Sequence, residues 1–309
     1  MTGEHGESFA CFGGTCAAHV IGEHADQAVD HAKRRLLGWH DQFTRFDPAS
    51  ELSRLNADRR EAVPVSFLLA RLAQTAVAAA EVTDGLVDAT LLGELERAGY
   101  RDDLREPALP LIDALRVAPP RAAAAGRPGA PWRALSVDGC VVHRPPGLRL
   151  DGGGLAKGLF ADVLAGELTR YRGFAIDCAG DLRVGGLPRR VHVDDPFGRG
   201  TVTTLRLTDA AIATSGIGRR AWLDGAGHPA HHLLDPATGR PAFTGIVQAT
   251  AVAPTAVEAE IRAKAALLSG PDRAPSWLRH GGVLVFDDGS TQHCRGDQPV
   301  PHRRLRRAA

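Results

Sequence analysis

Lysine and asparagine are almost missing from this 309-residue chain: of 37 basic residues only Lys33, Lys157 and Lys264 are lysines, and Asn56 is the single asparagine. Against that background, a lysine or asparagine inside a motif carries more weight than usual. Net charge is missing as well. At +1, the global balance offers nothing to nucleic acid or to an anionic membrane. Only the terminal PHRRLRRAA is locally basic, and it reads as a solvated tail. No apolar stretch approaches the length of a membrane helix, and the opening MTGEHGESFACFGG shows neither a basic nor an apolar leader segment. The expected location is cytoplasmic, with no membrane span. The five cysteines, Cys11, Cys16, Cys140, Cys178 and Cys294, form no C-x-x-C pair and so give neither a disulfide framework nor a zinc pattern.

What is present is enough apolar residue, 44% of the chain, for one large domain or two intimately packed halves. Helical spacing predicts a helix over about 25–39. Pro48 and Ser50 predict a turn capping a short helix at Glu51, and a further helix over 66–83 stops at Gly85. Ala, Pro and Arg crowd residues 101–131, whose second half reads as a loop. LSVDGCVV predicts a hairpin with a type I′ turn at Asp138-Gly139. LRLDGGGLAKGLFADVLAGEL reads as strand, glycine-rich turn and helix. Several strands follow, then a helix over about 255–269 and a last strand in GGVLVFDDG. Because strands cluster in runs and helices are fewer, the fold class is α+β rather than a doubly wound sheet.

Four stretches carry chemistry. DGGGLAKG, residues 151–158, sets three glycines before a helix, where backbone N–H groups and the positive helix end suit a phosphate, and Lys157 lies beside them. The alternative is an ordinary helix-capping turn. ATSG, residues 213–216, ends a strand with two hydroxyls, again either a phosphate contact or a plain turn. In IRAKAALLSG, Lys264 lies four residues after Glu260 and shares its helix face, at the least as a surface ion pair. HHLLDPATGRP, residues 231–241, pairs two histidines that a strand sends to opposite faces, so one is expected outside and the other functional.

Taken in order, FGGT, FTRFDPASELSRLN, GLVDAT, LDGGGLAKG, CAGDLRVGG, ATSG, HHLLDPATGRP and TAVAPTAVEAEIRAKA resemble the successive motifs of the ApbE-type FAD:protein FMN transferases. The resemblance runs from about Phe12 to Phe286. It implies an α+β, T-fold-related architecture of two halves with a flavin-nucleotide cleft between them: residues 12–290, flanked by an N-terminal extension over 1–11 and a polar tail over 291–309. It also implies a magnesium-dependent enzyme that moves FMN from FAD to a threonine hydroxyl of an acceptor protein carrying a D-x-x-[ST]-[GS]-A-T target, with release of AMP.

Carried over residue by residue, the resemblance makes His232 the base, with Asp235 and Thr238 shaping its turn and His231 as the outward neighbour. Gly154, Lys157, Thr214, Ser215 and Gly216 would surround the pyrophosphate, and Asp181 would belong to the same cofactor-binding set. Phe46, Leu86, Val87 and Asp88 would meet rings or ribose. Gly13, Gly14 and Thr15 stand where the family has Met-Gly-Thr. Magnesium would fall to the Ala156 carbonyl and to Glu260 and Lys264, which replace the family's Asp and Thr. That exchange keeps two other readings open: a flavin-nucleotide binding protein without catalysis, and an FAD pyrophosphatase yielding FMN and AMP.

Overall fold

The computed structural model describes residues 3–102, 109–298 and 300. Eight strands form one antiparallel sheet, and their order across the sheet is their order along the chain. They are β1 (Glu4–Cys11), β2 (Gly14–Ile21), β3 (Gly173–Cys178), β4 (Asp181–Gly185), β5 (Ala211–Gly216), β6 (Ile246–Ala253), β7 (Gly282–Phe286) and β8 (Thr291–Cys294). Of the N-terminal residues expected to form an extension, Glu4–Cys11 are the edge strand β1, paired with β2 from Glu4↔Ile21 to Cys11↔Gly14. Likewise the polar tail begins late, because Thr291–Cys294 pairs with β7. The basic run over 301–309 lies outside the described residues.

β2 and β3 are neighbours in the sheet although residues 22–172 separate them in sequence. This insertion carries α1 (Ala25–Phe43), α2 (Glu51–Ala57), α3 (Phe67–Val82), α4 (Leu92–Arg97), α5 (Leu111–Arg116) and α6 (Ala156–Glu167). After β6 come α7 (Ala256–Ser269) and the short α8 (Ala274–Trp277). Every residue of β6, IVQATAVA, is buried, because both faces of the sheet centre are covered. On one side lie α6 and α7. On the other, the ribbon formed by Arg189–Asp194 and Thr201–Leu207 packs Val193 and Leu207 against Val184, Ile212, Val252 and Val283.

Local chemistry sets the helix ends. Ser50 and Ser66 cap α2 and α3 by accepting the N–H groups of Ser53 and Leu69. α1 runs four residues past its expected end, since Phe43 continues the buried stripe of Val29, Ala32, Leu36 and Trp39. The hairpin of Ser136–Asp138 with Val141–His143 forms as expected, but Asp138 pairs with Val141 and the loop is Gly139-Cys140. Only Gly139 has positive φ, at 55°, which is the type II′ arrangement rather than type I′.

No strand precedes the glycine-rich turn. Instead the only asparagine takes the place of a neighbouring strand: Asn56 Nδ2 donates to the Leu150 carbonyl at 2.8 Å, and Leu150 N–H donates to Asn56 Oδ1 at 2.7 Å. Asn56→Ala leaves both backbone groups unpaired next to the site and is expected to cost about 2 kcal/mol or more. Urea unfolding checks this, and an unchanged midpoint would show that water replaces the amide.

Candidate active site

Residues 22–172, residues 217–245 and α7 meet over a cavity of ≈ 360 Å³. The glycine-rich turn forms one wall. Gly152, Gly153 and Gly154 all have ordinary negative φ, so they are not there for unusual dihedrals. They allow close approach: a Cβ on Gly152 would lie 3.1 Å from Leu72, and one on Gly154 would fall 2.0 Å from Lys264 Nζ. The turn delivers Ala156 and Lys157 as the first residues of α6, both at the cavity wall and at the positive end of the helix.

Four ionisable groups lie at and beneath this turn. Lys157 Nζ contacts Asp181 Oδ2 at 2.5 Å. Gly158 N–H donates to Glu260 Oε2 at 3.1 Å, and Lys264 Nζ donates to the Gly154 carbonyl at 2.7 Å. Strand register explains Asp181: it pairs with Ala213 across β4 and β5 and so faces the same side, under α6. Burial opposes the charge of Lys157, but Asp181 and Glu260 outweigh it and raise its pKa. Burial holds Lys264 below its usual value despite Glu260. Burial, then Asp181, push Glu260 up to about 7 against the pull of both lysines.

The two histidines meet different surroundings, and neither is exposed. His231 ends the strand Pro229–His231, is 1% exposed, packs edge-on against Phe243 at 4.8 Å and accepts Leu233 N–H at 3.3 Å. The expectation of an outward His231 is corrected: its ring lies in the core, and His232, at the bend that follows the strand, lines the cavity. Burial pushes His231 down to about 3. Burial first, then Arg220, holds His232 well below the usual imidazole range. His232 is thus a neutral proton acceptor, and its buried Nδ1 has no partner among the described residues. The turn after it is built as expected: Asp235 accepts Thr238 Oγ1–H at 2.8 Å and Ala237 N–H at 3.1 Å, and also ties down Ala125 N–H at 3.0 Å.

Across the cavity Phe46, Leu86, Val87 and Asp88 line the wall. Asp88 Oδ1 accepts the N–H and hydroxyl of Thr90, while its buried Oδ2 has no partner among the described residues. Arg45 lies over the rings of Phe46 and Tyr100 at 4.3 and 4.5 Å, and Tyr100 stacks on Trp222. Sequence reading missed Arg45, Tyr100, Phe12 and Arg220. In a chain so rich in arginine, nothing marks Arg45 or Arg220 out. Arg220 donates to the Phe12 carbonyl at 3.2 Å inside the cavity.

Other expected residues are placed elsewhere. Gly13 lines the cavity, but Phe12 and Gly13, both at positive φ, make the β1–β2 turn, so Gly14 and Thr15 already belong to β2 and stay away. Thr214 occupies the opposite face of the sheet from Ala213, bonded to Thr250 at 2.9 Å, because side chains alternate along β5. Ser215 and Gly216 do not line the cavity either. Asp181 and Glu260 stand behind the wall, reaching the cavity only through Lys157 and the turn. The surface ion pair read for Glu260 and Lys264 does not form, since Glu260 is 4% exposed and Lys264 turns to Gly154.

Nor do the residues expected at magnesium suit it. Magnesium takes oxygen ligands in octahedral array, whereas a lysine ammonium has no lone pair and here donates to the Gly154 carbonyl. Among the described residues, no three His, Cys, Asp or Glu side chains converge to hold a metal.

The sequence model of the ApbE family matches residues 12–286. The chain belongs to the ApbE family. A Rhodobacter capsulatus relative named FAD:protein FMN transferase is 29% identical over 306 residues, which cover 92% of this chain and 56% of that protein. The chain therefore spans about half the length of that relative. A Vibrio cholerae protein of the same name is 26% identical over 276 residues, 84% of this chain and 80% of that one. Among solved structures, the flavin transferase ApbE from Vibrio cholerae superimposes with a TM-score of 0.74 at 21% identity, covering 96% and 97% of the two chains. The apbe protein from Thermotoga maritima gives 0.76 at 22%, with the same coverage. The α+β fold expected from the sequence is thus the ApbE fold.

Proposed function

We propose that this chain is an FAD:protein FMN transferase, moving FMN from FAD to a threonine hydroxyl of an acceptor protein with the D-x-x-[ST]-[GS]-A-T target. The threonine oxygen attacks the FMN phosphorus, the phosphoanhydride bond breaks, AMP leaves with the electron pair, and the hydroxyl proton passes to His232. The observation that carries this reading is one cavity holding both a neutral histidine and a glycine-rich turn flanked by Lys157 and Lys264. Phe46, exposed at the cavity wall, offers a ring for stacking, and Asp88 Oδ2 offers an acceptor for a ring N–H or a ribose hydroxyl. Hydrolysis of FAD to FMN and AMP is the same displacement with water as nucleophile. Five free thiols, three of them buried, support a cytoplasmic location, and no described helix is long and apolar enough to cross a membrane.

FAD incubated with the chain and an acceptor bearing the target is expected to give a covalently fluorescent acceptor band on a denaturing gel. Free FMN without labelled acceptor would assign hydrolysis instead. FAD is expected to bind at least about tenfold more tightly than FMN or riboflavin, since the lysines and the turn address a pyrophosphate. Equal affinities in a fluorescence titration would remove the pyrophosphate site.

A further inference from the structure

We infer that the Lys264 ammonium stands in for the divalent cation, so that this chain holds the pyrophosphate of FAD without bound magnesium. The inference rests on the flavin reading above and adds to it the identity of the cation.

Three observations carry it. The first is placement. Lys264 follows Glu260 by one turn of α7, both point inward, and Lys264 Nζ reaches the Gly154 carbonyl at 2.7 Å while lining the cavity. The second is fit, because the turn is built around this ammonium: a Cβ on Gly154 would fall 2.0 Å from Nζ. The third is charge. Lys157 is matched by Asp181 in direct contact, but Lys264 makes no ion pair within 4.0 Å among the described residues. Glu260 Oε2 instead takes the Gly158 N–H. Lys264 therefore presents a positive charge with donors left over after its one bond to Gly154, and an anionic phosphate is the complement. The ammonium exchanges no proton in the step; it neutralises charge that grows on the departing AMP oxygen.

The test uses the full chain, freed of metal by chelation, and reads FAD fluorescence quenching, manganese binding by paramagnetic resonance in the presence of FAD, and flavin transfer. The wild-type protein is expected to bind FAD with less than about a twofold change in affinity between chelator and magnesium, and to hold no stoichiometric manganese. Lys264→Thr, which restores an oxygen, is expected to bind FAD about tenfold more weakly in chelator and to recover with magnesium. Lys264→Met, with neither charge nor oxygen, is expected to weaken and not recover. Stoichiometric manganese in the wild type, or loss of FAD binding on chelation, would overturn the inference and leave the flavin reading standing. Absence of FAD binding under both conditions would remove the flavin reading and the inference with it. If either variant fails to fold, shown by circular dichroism, the wild-type manganese measurement decides alone.

Discussion

Replacing His232 by alanine is expected to leave FAD bound and to lower flavin transfer by about 10² or more, the scale of losing a general base. The ring is at the cavity wall and neutral, so it has an acceptor nitrogen to offer a hydroxyl. Because burial and Arg220 depress its pKa, protonation of His232 is delayed on acidification. The acid limb of the transfer profile should therefore lie below the usual imidazole value of about 6.5. His231→Ala is expected to act differently. That ring fills core against Phe243, so its loss should lower stability by about 2 kcal/mol with a much smaller effect on transfer per folded molecule. Steady-state transfer and urea unfolding on both variants check the pair. A reversal, with His231→Ala abolishing transfer in a stable protein, would mean that the neighbouring ring is the base.

Asp181→Ala should produce the largest loss of stability. Asp181 is 1% exposed and pairs directly with Lys157, which sits at the start of α6. Removing one member of a buried pair leaves the other charge without its partner, a loss of about 3–5 kcal/mol. Asp181→Asn should lose less, and the double change Asp181→Leu with Lys157→Met should regain most of the stability while losing affinity for FAD. Denaturant midpoints measure all three. If Asp181→Ala unfolds within about 0.5 kcal/mol of the wild type, the pair contributes nothing and Lys157 is held by other means.

Elements governed by neighbouring residues were legible in the sequence. Ser50 and Ser66 announce their helices because capping is a contact between residues three apart. The glycine-rich turn, α6, α7 and the Asp235 turn are readable for the same reason. The hairpin turn was misread because the choice between Asp138-Gly139 and Gly139-Cys140 depends on register, which cross-strand contacts decide. The LRL segment looked like a strand, but its backbone partner is the side chain of Asn56, ninety-four residues away.

By itself the sequence determined the fold class, the family and the short motifs, including His232, Lys157 and the exchange at Lys264, since these depend on residue type, spacing and order. Only the tertiary structure decided which motif residues share the cavity. It put Thr214 on the far face of β5 and His231 in the core, hid Asp181 and Glu260 behind the wall, and brought in Arg45, Tyr100 and Arg220. The physical reason is that side-chain facing and burial depend on what covers each surface. Here the covering comes from α6, within residues 22–172 inserted between two strands that are adjacent in the sheet and far apart in the chain, and from α7 and the ribbon of Arg189–Asp194 and Thr201–Leu207.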